Sequence, residues 1–111
     1  MVRFALTFAT LLLAAACVAS DTSVQRVDGR ALRVDLVEDF YWAESPADHP
    51  EVEVFPLVTA LVVSDPHRPM SEADGAAARA AATAHCRELG ISAYNPRSRF
   101  SDGTWAFSNC G

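Results

Sequence analysis

Lysine is absent from the 111 residues, and basic charge is scarce: nine arginines face fourteen aspartates and glutamates, for a formal charge of −5 at pH 7. That balance disfavours nucleic acid as a partner, because a phosphate backbone repels it. The chain is too short for more than one domain. It has no glycine-rich phosphate loop, no GxSxG elbow, and no CxxC or HxxxH spacing, so none of the common nucleotide, hydrolase or metal signatures is available. No set of groups amounts to a nameable mechanism, and the expectation is a protein that is not an enzyme and uses no cofactor and no metal. What is present is an ordinary globular balance, half apolar and 21% charged, which excludes a disordered, collagen-like or coiled-coil chain.

The first 20 residues read as a signal peptide. Arg3 is the only charge before Asp21, and Phe4 to Ala16 is apolar except for Thr7 and Thr10. A cationic start, an apolar stretch of this length and small residues after it make a secretory leader. The stretch falls short of the roughly 20 apolar residues that a membrane-spanning helix needs. Leu13-Ala14-Ala15-Ala16-Cys17 is similar to a bacterial lipobox, with Leu one place further from the Cys than usual. Two routes are open: lipidation of Cys17, or simple cleavage after Ala19 or Ser20. Residues 21–111 then form a single small domain. Its contact with a membrane would come only through the lipid anchor.

Three cysteines occur: Cys17, Cys86 and Cys110. With Cys17 acylated or removed, export leaves Cys86 and Cys110 in an oxidising space, where a disulfide is expected. The rival is a reactive or metal-binding thiol at His85-Cys86, but adjacent helical residues point about 100° apart and would not share one ion.

Leu32, Val34 and Leu36 alternate with their neighbours as a half-buried strand does, and Asp28-Gly29 before them marks a hairpin turn. Asp39 to Glu51 reads as an exposed acidic loop from which Tyr41-Trp42 could fold back onto the core. A strand is expected from Leu57, after Pro56, to Ser64. A helix is expected from Ser71 to Leu89, with Gly90 as its stop. Gly75, Ala78, Ala82, Cys86 and Leu89 share its inward face. Ile91 to Tyr94 is a candidate strand, Asn95 to Asp102 a polar loop, and Gly103 to Cys110 the last strand. Strict alternation with Cys110 facing the helix would turn Trp105 and Phe107 to the opposite face. There the Tyr41-Trp42 segment, a twin subunit or a partner would cover them. Trp105 and Phe107 are therefore the expected partner-binding residues. Glu51 and Glu53 lack EF-hand spacing and read as a solvated acidic face. Charge is uneven: Val34 to His67 holds eight acids and no arginine, and Arg68 to Gly111 holds five arginines and four acids.

The segment His85-Cys86-Arg87-Glu88-Leu89-Gly90, followed by Trp105-Ala106-Phe107-Ser108-Asn109-Cys110, resembles a pattern in small envelope lipoproteins and periplasmic proteins of proteobacteria, in which Cys86 and Cys110 match the paired positions. The likeness covers Ser71 to Gly111. Together these readings predict an α+β fold, a two-layer arrangement of a mostly antiparallel sheet of four or five strands on one long helix. The resemblance implies a non-enzymatic protein in the cell envelope, outer-membrane-anchored or soluble in the periplasm, whose partner is another envelope protein or a second copy of itself. The alternative is a small secreted inhibitor or ligand-binding module that uses the Arg97–Phe100 loop.

Overall fold

The computed structural model describes residues 22–110. The expected signal peptide and Cys17 lie outside the described residues. Five strands form one antiparallel sheet: β1 (Thr22–Val27), β2 (Arg30–Tyr41), β3 (Leu57–Ser64), β4 (Ser98–Ser101) and β5 (Thr104–Ser108), in the order β1-β2-β3-β5-β4. One helix, α1 (Gly75–Glu88), is entered through a 3-10 turn at Glu72–Asp74. The α+β sheet-on-helix fold is as the sequence predicts, with a helix of moderate length.

The helix covers one face of the sheet. Leu32 and Val34 of β2, Leu61 and Val63 of β3, and Phe107 of β5 point towards it and are fully buried against Ala78, Ala81, Ala82 and Cys86. Three alanines leave little side chain between helix backbone and sheet, so the large residues of the sheet fill the layer. The helix C-terminus is fixed in two ways. Gly90 and Ile91 donate to the carbonyls of Arg87 and Cys86 at 3.0 Å each, which closes the last turn. Cys86 is also disulfide-bonded to Cys110 across 24 positions of sequence. Closing a loop of that size removes on the order of 3 kcal/mol of unfolded-state entropy. Leu89, expected on the inward face, is 53% exposed instead, because the helix has ended at Glu88 and Leu89 no longer follows its periodicity.

The helix N-terminus is held by charge. The Asp74 carboxylate accepts from the Ser71 N–H at 2.8 Å, and Arg30 donates to Asp74 at 2.8 Å and to Asp65 at 2.9 Å. The Ser71 N–H and then the Arg30 guanidinium hold the Asp74 carboxyl below its usual range; the His67 N–H and then Arg30 do the same for Asp65. One guanidinium thus joins the start of β2, the end of β3 and the first turn of the helix.

Two expectations fail in the last third. Ile91 to Tyr94 is not a strand, and β4 lies inside the supposed loop at Asn95 to Asp102. The reason is a second Asp-Gly turn. Asp102 and Gly103 have φ of 48° and 79°, close to the 50° and 80° of Asp28 and Gly29. Both pairs make the left-handed two-residue turn that matches the twist of a hairpin. The Asp102-Gly103 turn brings β4 onto β5 and leaves no free edge there for Ile91–Tyr94. That segment instead rests on the end of β5, where the Tyr94 hydroxyl donates to the Ser108 carbonyl at 2.6 Å.

The two turns differ in their surroundings. A Cβ on Gly29 would meet nothing within 4 Å, whereas one on Gly103 would lie 2.9 Å from the Pro69 Cβ. Gly29→Ala should cost about 1 kcal/mol through the left-handed backbone alone. Gly103→Ala should cost clearly more, because Pro69 must also move. Urea unfolding of both variants checks this, and equal losses would contradict it.

Candidate functional site

The face of the sheet away from α1 carries the candidate site, and a β-bulge in β2 builds it. Val37 pairs with Ala60 and Phe40 pairs with Val58, so one extra residue sits in β2 between them. Asp39 takes a φ of 55° there. An extra residue reverses the alternation that follows it, and Phe40 therefore points to the same side as Val37. Trp42, two residues on, follows Phe40 and packs edge-on against it with ring centroids 6.2 Å apart.

From Trp42 the chain leaves the sheet, crosses beneath this second face and returns at Pro56. Trp42 and Glu44 pair with Pro56 and Val54 through backbone hydrogen bonds of 2.8 to 2.9 Å. Two arginines at the β4 end hold the excursion in place. Arg99 donates to the Ala43 carbonyl at 2.9 Å and lies 3.7 Å from Glu53; Arg97 meets Glu44 at 3.1 Å and stacks 5.5 Å above the Trp42 ring. The uneven charge of the sequence thus has a structural meaning, since acids of the middle segment are held by arginines of the last third. As anticipated, the Tyr41-Trp42 segment folds back, but through Trp42 alone: Trp42 is buried and Tyr41 is 68% exposed.

Between the excursion and the sheet lies a cleft of about 240 Å³ lined by residues of both, among them Phe40, Phe55, Glu53, Arg99, Ser101 and Ala106. Ligand sites for free small molecules usually span roughly 300–1,000 Å³. This cleft is closer to the size of one or two side chains. Its lining combines the apolar Phe40, Ala43, Phe55 and Ala106 with the Arg99–Glu53 pair and the hydroxyls of Tyr41, Ser101 and Thr104. The Arg97–Phe100 segment is not the free loop of the sequence reading: it runs into β4, and Arg99 is committed to Ala43 and Glu53.

Trp105 and Phe107 are displaced from the role expected of them. Phe107 is fully buried on the helix side. Trp105 packs on the same side, its ring about 3.0 Å from where a Cβ on Gly75 would stand, and its indole N–H donates to the Ser71 carbonyl at 3.0 Å. The alternation argument fails because β5 stops at Ser108. Asn109 breaks the ladder and accepts the Cys110 N–H on its own side chain at 2.8 Å. Cys110 therefore reaches Cys86 without sharing the orientation of the strand, and the residues that face the cleft are Thr104 and Ala106.

His85 and Cys86 do not form a reactive pair. Cys86 is in the disulfide. His85 is 3% exposed, and its Nδ1 is hydrogen-bonded to the Ser23 hydroxyl at 2.7 Å, which also accepts from the Gln25 amide at 3.0 Å. This chain of bonds ties β1 to the helix. Among the described residues, no three histidine, cysteine, aspartate or glutamate side chains converge on one point, and no helix is long and apolar enough to cross a membrane.

Comparisons with protein-family models, with curated proteins and with solved structures find no match.

The reassignment of Phe107 has a direct check. Phe107→Ala should destabilise the domain by about 3–5 kcal/mol, the cost of emptying an aromatic core site. A surface anchor would leave the denaturation midpoint unchanged.

Proposed function

We propose that this chain is a non-enzymatic protein of the bacterial cell envelope that binds another envelope protein through the cleft on the second face of its sheet. In this reading the leader is removed, Cys17 becomes the lipidated N-terminus, and the domain faces the periplasm from the outer membrane. The Cys86–Cys110 disulfide is compatible with such an oxidising compartment. The observation that carries the binding role is the cleft itself: an apolar seat between Phe40, Phe55 and Ala106, too small for most free ligands and suited to an apolar side chain presented by a partner. Buried apolar anchors of this kind dominate the energy of protein interfaces.

Photo-crosslinking in the native cell tests the reading. A photoreactive phenylalanine analogue in place of Ser101, which lines the cleft, should give one discrete adduct with an envelope protein. The same analogue in place of Val24, exposed on the far edge strand, should not. No adduct from the Ser101 position, or the same adducts from both, would contradict the reading. An adduct of twice the chain's own mass would assign the cleft to a second copy.

A further inference from the structure

The sheet ends in two outer strands, β1 and β4. β4 has only four residues, whereas β1 has six and pairs with β2 in unbroken register from Thr22 to Val27. The two-residue Asp28-Gly29 turn makes Val27 and Arg30 a hydrogen-bonded pair, and such pairs recur at every second residue of an antiparallel ladder. The backbone groups of Val27, Gln25 and Ser23 therefore face β2. Those of Arg26, Val24 and Thr22 face away, and no described residue bonds to them. Edges of this length are normally blunted by a proline, a bulge or a lysine. Between Thr22 and Val27 there is none of these, and Val24 is 63% exposed.

The side chains of β1 limit what can lie beside it. Ser23 and Gln25 point to the helix, where Ser23 bonds His85; Thr22, Val24 and Arg26 point to the second face. Thr22 donates to Asp35, its neighbour in the same row of β2. Arg26 belongs to no ion pair among the described residues. A second β1, laid antiparallel with Val24 opposite Val24, satisfies these groups together. The outward N–H and C=O groups of Thr22, Val24 and Arg26 meet those of Arg26, Val24 and Thr22. The two exposed valines cover each other. On the helix side Ser23 falls opposite Gln25, a hydroxyl against an amide. On the second face Arg26 falls opposite Thr22, and Asp35 stands next in that row, about 10 Å from Arg26 at the usual strand spacing. An arginine fork reaches a carboxylate across that gap, and Asp35 has lone pairs to spare. The other two-fold registers lose this match. Centring on Gln25 puts Arg26 in the row of Val24 and Arg33, and centring on Arg26 opposes two arginines. Centring nearer Thr22 carries Arg26 beyond the facing strand.

We propose that β1 is a dimer edge, through which two copies of this chain join their sheets into one about a two-fold axis at Val24. The interface is isologous, so each copy supplies both the arginine and the aspartate. The proposal is independent of the cleft, which borders β4 and β5, and each copy keeps its own cleft open to a partner. A photo-crosslinker at Val24 then joins two copies of this chain, an adduct distinct from the one expected at Ser101.

Sedimentation equilibrium of the mature protein isolated from its native cells, in density-matched detergent, tests the edge. The wild-type protein should sediment at twice the chain's mass. Val24→Pro removes the central outward N–H, at an edge position where a strand tolerates proline, and should sediment as a monomer. Arg26→Glu should weaken association about tenfold, because it turns two attractive row contacts into repulsive ones. Asp35→Arg added to Arg26→Glu should restore the wild-type association. A wild-type protein that stays monomeric at its highest soluble concentration would overturn the proposal. A dimer that Val24→Pro leaves intact would place the interface elsewhere and overturn it equally. Should Val24→Pro fail to fold, the charge exchange decides alone: no weakening in the single variant, or no recovery in the double variant, would overturn the edge.

Discussion

The bond between Cys86 and Cys110 is the constraint on which the domain turns. It joins the last turn of α1 to the chain just beyond β5, and so fixes the end of the helix opposite the Arg30 ion pairs. The other end depends on Arg30, shared between Asp65 and Asp74. Between these fixtures the alanine face of the helix lies on the sheet with Phe107 beneath it. A domain of this size has a small apolar core, and a crosslink worth on the order of 3 kcal/mol is a large fraction of the stability such domains possess.

Much of this fold is legible in the residues. The alternation of Leu32, Val34 and Leu36, the Asp28-Gly29 turn, the start of β3 after Pro56 and the Ser71 to Gly90 limits of the helix all follow from local chemistry that tertiary packing does not override. The pairing of the two late cysteines follows from counting. The second hairpin was equally available, since Asp102-Gly103 is the same dipeptide as Asp28-Gly29, but a polar loop around Pro96 obscures the short β4.

The site was less legible, for two physical reasons. Period-two reasoning holds only while a strand continues. β5 ends at Ser108, so the orientation of Cys110 says nothing about Trp105 and Phe107. In β2 the extra residue at the bulge turns Phe40 and Trp42 to the second face, and no pattern of hydrophobicity announces an aspartate in a left-handed conformation. The cleft also depends on pairs far apart in sequence. Arg97 and Arg99 hold Glu44 and Glu53, and only the excess of acids in one segment and arginines in the next hinted that the two would meet.

The two faces of the sheet thus have separate duties. One is closed by the helix and supplies stability. The other is covered by a strapped excursion that leaves a small cleft. The proposed function, an oxidised scaffold anchored by its N-terminus and presented to a partner, requires one history: export from the cytosol. The most direct measurement is the intact mass of the protein isolated from its native cells after denaturation and alkylation without reductant. The account predicts a chain that begins at Cys17, carries acyl groups there and takes up no alkyl group at Cys86 or Cys110. A chain that begins at Met1 with both late thiols alkylated would contradict it.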